Sequence, residues 1–257
     1  MHPVLLYLGD WPIHAYGVMG AVAFTLIAGM TLGRARREGL EPDRLVDVMF
    51  WTSVAGLVGA RGLYVWANPE AFPTWTSWLH LRSGGLVFYG ALFTGLPAAL
   101  SLMRQYHLPV LRTADLFATA LPLGHALSRV GCFLAGCCYG APTDLPWGVS
   151  YHHPLSPAPH GVPVHPTQLY AVAYLVAIGV VVNATWYRRR FDGQVLLTYL
   201  LLYSAARSLN ELVRGDAERG FVGVRWLGEL ISTSQALSAL LAVLCLVAWR
   251  WLGQRAR

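Results

Sequence analysis

The sequence predicts an all-α integral membrane protein of about seven transmembrane helices. Its N-terminus lies outside, its C-terminus in the cytoplasm, and interfacial arm segments rest on the outer face. Three observations predict this. Of the 257 residues, 55% are hydrophobic and 12% charged, against about 25% charged in a water-soluble domain. Apolar runs close to the ~20 residues needed to cross a bilayer recur along the chain. All nineteen basic residues are arginines, and they are unequally shared between the two sets of run ends. No repeat, low-complexity tract or long linker divides the sequence, so residues 1–257 read as one polytopic membrane domain.

The opening residues lack a basic n-region and a small-residue cleavage site, so they do not read as a removed signal peptide. Leu5, Leu6, Tyr7, Leu8, Trp11 and Pro12 instead suggest an interfacial segment. The first span is Ile13 to Gly33, opened by His14 and Tyr16. The second is Val46 to Ala67. Ala71 to Ser83 carries Trp75, Trp78 and Leu81 and reads as an aromatic arm at the outer face. The third span is Gly84 to Met103; its Gly84 and Gly85 allow close backbone approach, for helix packing or for a lipid head group. The fourth is Asp115 to Gly136 and the fifth Thr167 to Tyr187. Both carry polar residues, which leaves room for a re-entrant or tilted piece. Thr167 reads as the N-cap of the fifth, where a helix N-terminus favours anions. The sixth is Val195 to Val213 and the seventh Gly228 to Trp251.

One set of ends holds Arg34, Arg36, Arg37, Arg44, Arg104, Arg112, Arg188, Arg189, Arg190, Arg250, Arg255 and Arg257. The other holds Arg82, Arg214, Arg219 and Arg225. Twelve against four sets the orientation by the positive-inside rule and requires an odd number of spans. The loop from Cys137 to Pro166 has no Arg and falls outside. The net charge of +6 reflects the cytoplasmic clusters and suits anionic lipid, not nucleic acid.

Three arginines remain at membrane depth: Arg61, Arg129 and Arg207. Such a residue either staples carbonyls and carboxylates or marks a functional site. His125, Arg129 and Cys132 fall at spacings of four and three, one face of a helix. Tyr203, Arg207, Asn210, Glu211 and Arg214 form a second polar stripe. Glu211 reaches Arg207 or Arg214 as a helical pair, yet the arginines outnumber it, which favours an anionic ligand. Gln168 sits with His165 and Tyr170 at the start of the fifth span. Cys245 reads as filler. Cys137 and Cys138 lie where a disulfide is open to them. The C-x4-C-C spacing matches no common zinc pattern, so no metal and no cofactor are expected.

These residues, in this order, resemble the phosphatidylglycerol–prolipoprotein diacylglyceryl transferase family over nearly the whole chain. The resemblance rests on His14-Ala15-Tyr16-Gly17, Gly59 to Tyr64, Gly84 to Phe88, Arg129 with Gly131 and Phe133, Gly140 to Gly148, His165 to Tyr170, and Tyr203 with Arg207, Glu211 and Arg214. Family members have seven spans and an outside N-terminus. The chain departs from the family in places. The family's S-F-H-G-G reads Val87-Phe88-Tyr89-Gly90-Ala91, so Tyr89 stands where the family has histidine. The family's G-R-x-G-N-F-x-N-G-E reads Ser128 to Cys137, with Cys132, Ala135 and Cys137 replacing two asparagines and a glutamate.

The resemblance implies a transferase of lipoprotein biosynthesis in the bacterial inner membrane. It takes phosphatidylglycerol, or a related anionic phospholipid, and a lipobox-containing prolipoprotein as substrates, and no nucleic acid. The diacylglyceryl group moves to the lipobox cysteine thiol. Arg129 and Arg207 are expected at the phosphate, Arg61 as a third cation, Tyr16 and Tyr203 at the head group, and Glu211 orienting Arg207. Gly84, Gly85, Gly140, His165 and Gln168 complete the binding set. Tyr89, His125 or His165 serves as base. Two other readings stay open: a phospholipid acyltransferase using Cys132 with His125, and a non-catalytic lipid-binding or lipid-translocating relative.

Overall fold

The computed structural model describes residues 2–72, 74–79, 85–215 and 232–256. Among these are seven α-helices, and each predicted apolar run falls on one: α1 Ala15–Arg37, α2 Pro42–Ala67, α3 Phe88–Gln105, α4 Val110–Ala135, α5 Thr167–Arg188, α6 Gln194–Glu211 and α7 Thr233–Arg255. Four of them, α1, α2, α5 and α7, are long and apolar enough to cross a membrane. The chain is a mostly helical, multi-pass membrane protein.

The fold is not purely α. Val4–Leu8 (β1) and Trp11–His14 (β2) form an antiparallel hairpin that pairs Leu8 with Trp11 and Val4 with His14. The two-residue turn Gly9–Asp10 explains it, with Gly9 at φ +61°, since short hairpin loops favour glycine in this left-handed region. Leu5, Leu6, Tyr7, Leu8 and Trp11 are all exposed, so the expected apolar segment is present as a ribbon. A 3₁₀ turn, Pro69–Ala71, leads into the expected aromatic arm, and the arm contains a second, Trp75–Leu79. Its Leu81 and Arg82, together with Gly84, Arg219, Arg225 and Arg257, lie outside the described residues.

The chain forms two compact units, residues 32–113 and residues 1–31 with 114–257. In the first, α2 packs against α3 through glycine. A Cβ at Gly90 would overlap the Gly59 backbone, and one at Gly59 would overlap Thr94 and the Gly90 carbonyl. Thr94 Oγ1 donates to the Ala55 carbonyl across this contact at 2.7 Å. Small residues of this kind let helix backbones approach in lipid. Arg112 binds the Glu38 carboxylate at 2.5 Å, and Arg44 donates to the Tyr106 carbonyl at 2.7 Å.

In the second unit α6 packs against both α5 and α7, and α4 meets α1 through glycine. Gly124 faces Ile27 and Ala23 of α1, and Gly131 faces Met19 and Tyr16. Pro122 interrupts α4 and removes one helix donor. Gly179 of α5 packs against Leu123, with the Pro122 ring beyond it, while Asn183 donates to the Thr119 carbonyl at 3.0 Å. Asp115, buried near the start of α4, accepts from the backbone N–H groups of Gly193 and Leu196, both at 2.8 Å. It thereby caps α6 from another helix and satisfies donors that α6 leaves free at its N-terminus. Ser232 caps α7 in a reciprocal box with Gln235.

Candidate functional site

The polar residues of the 1–31/114–257 unit converge on one cavity. Arg129 of α4, Thr167, Gln168 and Tyr174 of α5, and Arg207 and Asn210 of α6 line it, with Arg214 and Cys138 from the adjoining loops. The helical spacings foreseen for α4 and α6 turn these residues to one place. Three guanidinium groups line the cavity, and two of them meet one carboxylate. Glu211, 2% exposed, pairs with Arg207 and stands 3.8 Å from Arg214.

Arg129 is held from its own helix. Its Nε donates to His125 Nε2 at 3.2 Å, and the His125 ring lies 5.3 Å from that of Tyr203. Tyr203 in turn stacks on Tyr199 at 5.9 Å. His125 and Tyr203 are thus packed behind the arginines, and His125 acts as an acceptor that orients Arg129.

The loop after α4 closes one side. Gly140 N–H donates to the His165 carbonyl at 2.9 Å, and Ala141 N–H to the Val213 carbonyl at 2.9 Å. A side chain at Gly140 would strike both carbonyls, which accounts for glycine there. His165 Nδ1 lies 3.2 Å from the Tyr170 hydroxyl, which accepts from Trp147 Nε1 at 2.8 Å.

Thr167 is not the N-cap of α5. Pro166 holds that position without a side-chain bond, because Thr167 uses its hydroxyl as a donor to the Cys138 carbonyl at 2.6 Å. Gln168 Nε2 donates to the Cys137 carbonyl at 2.7 Å and to the Tyr151 hydroxyl at 3.2 Å. Burial raises the Tyr151 phenol to about 12, so it stays a neutral partner. The four cysteines are free thiols. Cys132, Cys137 and Cys138 bring their Sγ atoms within 4.8 Å of one another. Hydrogen bonds from the Cys132 and Cys137 thiols hold the Cys138 thiol well below its usual range.

Two polar atoms on the cavity-lining residues, Gln168 Oε1 and Asn210 Oδ1, are buried without a hydrogen-bond partner among the described residues. Each is an acceptor that a ligand hydroxyl would satisfy. Cys138, Thr167, Tyr174, Asn210 and Arg214 belong to this lining without having been chosen as binding residues from the sequence. Tyr174 lies seven residues after Thr167, on the same face of α5, which is the signal that points to it.

Other expected residues lie outside the cavity lining. Tyr16 is half exposed on α1, against Gly131 of α4, its phenol hydrogen-bonded to Ser128 next to Arg129. In the 32–113 unit, Arg61 is 7% exposed. It donates to the Trp78 carbonyl at 3.0 Å and the Gly85 carbonyl at 3.2 Å, with Phe72 4.8 Å beneath its guanidinium. It staples the arm to α2. Gly85 adopts φ +86° against the Tyr64 ring. Tyr89 is 42% exposed at the start of α3.

Residues 3–251 match the family model described as prolipoprotein diacylglyceryl transferase. The phosphatidylglycerol–prolipoprotein diacylglyceryl transferase of Clostridium tetani is 32% identical over 245 residues, covering 93% of this chain and 92% of the relative. That of Chromohalobacter salexigens is 32% identical over 249 residues, covering 93% and 90%. A second enzyme of this name from Clostridium perfringens is 33% identical over 236 residues, covering 90% and 88%. With its arginine-lined cavity and this similarity along almost its full length, the chain belongs to the prolipoprotein diacylglyceryl transferase family.

Proposed function

We propose that this protein transfers the diacylglyceryl group of phosphatidylglycerol to the thiol of a lipobox cysteine in a prolipoprotein, within the bacterial inner membrane. The observation that carries this reading is the composition of the cavity. Arg129 and Arg207 suit a phosphate diester. The acceptor atoms Gln168 Oε1 and Asn210 Oδ1 suit the hydroxyls of a glycerol head group. A phosphate next to a diol is the polar end of phosphatidylglycerol.

In this reaction the substrate sulfur attacks the glyceryl carbon bound to the phosphate. The C–S bond forms, the C–O bond breaks, and glycerol phosphate leaves with the bond's electron pair. Charge builds on the departing phosphate, where Arg129 and Arg207 stabilise it more than in the ground state. Glu211 fixes Arg207, and His125 fixes Arg129. The thiol proton goes to a base. His125 Nε2 already accepts from Arg129, so His165, oriented by Tyr170, is the better placed candidate. Nearby arginines lower the work of ionising the thiol.

The acyl-enzyme alternative is disfavoured by the same helix. Cys132 lies seven residues beyond His125, about 10 Å along the α4 axis, and the acceptor nitrogen of His125 is taken by Arg129. A thiol–imidazole pair needs direct hydrogen-bond reach.

The test is mass spectrometry of products from purified protein supplied with phosphatidylglycerol vesicles and a lipobox peptide. A peptide heavier by one diacylglyceryl group, with release of glycerol phosphate, is the expected result. An unchanged peptide together with a hydroxylamine-sensitive acyl group on Cys132 would overturn this reading.

A further inference from the structure

Three thiols beside the cavity have no part in the transfer just described. Cys132 comes from the last turn of α4, and Cys137 and Cys138 from the turn that follows it. Their three Sγ atoms lie within 4.8 Å of one another. Three thiolates at corners of a tetrahedron around Zn²⁺, with Zn–S about 2.3 Å, sit about 3.8 Å apart. The observed spread therefore closes onto an ion through small side-chain rotations.

The turn is built to bring the sulfurs together. Gly136 at φ +80° reverses the chain, and Cys138 at φ +59° follows in the left-handed region. A non-glycine residue stays in that region only where its surroundings over-determine it. Here the surroundings are explicit. The Cys137 carbonyl accepts from Gln168, and the Cys138 carbonyl accepts from Thr167. These bonds fix the backbone that carries the two thiols. Buried Cys245 shows what a filler cysteine looks like in this chain: it lies on α7 as a single thiol, outside the cluster.

Charge also fits. Three thiols binding one divalent cation release three protons and leave a complex of net charge minus one. Arg129 and Arg207 stand on the same cavity as Cys138 and stabilise that charge. A zinc ion with three protein ligands keeps one coordination position open, and Cys138 is the ligand that lines the cavity.

We propose that Cys132, Cys137 and Cys138 form a three-thiolate site for a single Zn²⁺ ion, whose fourth position opens into the arginine-lined cavity. The sequence spacing alone did not suggest this, because no common zinc pattern places its ligands at C-x4-C-C.

The experiment uses the full-length protein in detergent, and metal content is read without reference to transfer activity. Elemental analysis after zinc reconstitution and dialysis is expected to give about one zinc per chain. Cys138→Ser and Cys132→Ala are each expected to lose it, while Cys245→Ser retains it. Cobalt(II) added to the zinc-free wild-type protein should show an intense near-ultraviolet sulfur-to-cobalt band and the visible bands of a tetrahedral ion. This spectrum decides the matter even if a cysteine variant fails to fold. Wild-type protein that binds no stoichiometric zinc, shows no such cobalt spectrum and presents three alkylatable thiols would overturn the proposal. A disulfide among the three cysteines in anaerobically purified protein would do the same.

Discussion

Arg61, Arg129 and Arg207 are the same side chain in three chemical situations. Arg61 spends its donors on the carbonyls of Trp78 and Gly85, Arg129 rests on an imidazole, and Arg207 pairs with a buried carboxylate. Arg129→Gln and Arg207→Gln are expected to lower turnover about 100-fold or more, on the scale of losing one charge-stabilising donor, with the protein still inserted and folded. Arg61→Gln should instead lower thermal stability in detergent by about 1–3 kcal/mol, because buried carbonyls lose their partner. Wild-type turnover in both Arg129 and Arg207 variants would show those two to be structural. Tyr89→His should keep the rate, since the proton-accepting role falls to His165; turnover at background level would show that the Tyr89 hydroxyl itself is needed. The arginines of the cavity were legible in the sequence because a cation in an apolar helix is costly without a reason. Arg61 could be read as a staple only in general terms, since its carbonyl partners lie 17 and 24 residues away, outside its own helix. The meeting of three sulfurs was not legible, because it depends on the left-handed residues 136 and 138 and not on any periodicity.

At the scale of elements, periodicity and length found all seven helices in order. The N-terminal ribbon escaped because VLLYL lacks the alternation of a half-buried strand, leaving Gly9-Asp10 as its sole local signal. The capping of α6 by Asp115 escaped because donor and acceptor lie on different helices, 78 and 81 residues apart. The α2–α3 contact was only hinted at by the glycines that open the third span; its own pair, Gly59 with Gly90, was not legible. Gly90→Leu is expected to destabilise that pair by about 1–3 kcal/mol, the usual cost of overpacking. A thermal melt in detergent checks it, and an unchanged midpoint would mean that the helices do not approach this closely.

For the molecule as a whole, arginine placement speaks to orientation. The last turns of α1, α3, α5 and α7 all carry Arg, while those of α2, α4 and α6 carry none. The helix dipole favours cations at every C-terminus, so it does not explain why odd and even helices differ. A membrane with one positive-attracting side does. A reporter fused after Arg257 should therefore behave as cytoplasmic and one inserted near His160 as periplasmic; finding both on one side would sink the seven-span arrangement. The same alternation gives the α4–α6 tie a further meaning. Eighteen residues of α6 span about 27 Å, with Asp115 gripping the first turn and Arg207 and Glu211 standing at the last. The Asp115 carboxylate thus works as a fixed stop for a rod whose far end carries the charge. Asp115→Ala would let that rod slide, so the lipid KM should rise several-fold, and the transfer kinetics would register at one end of α6 a bond lost at the other.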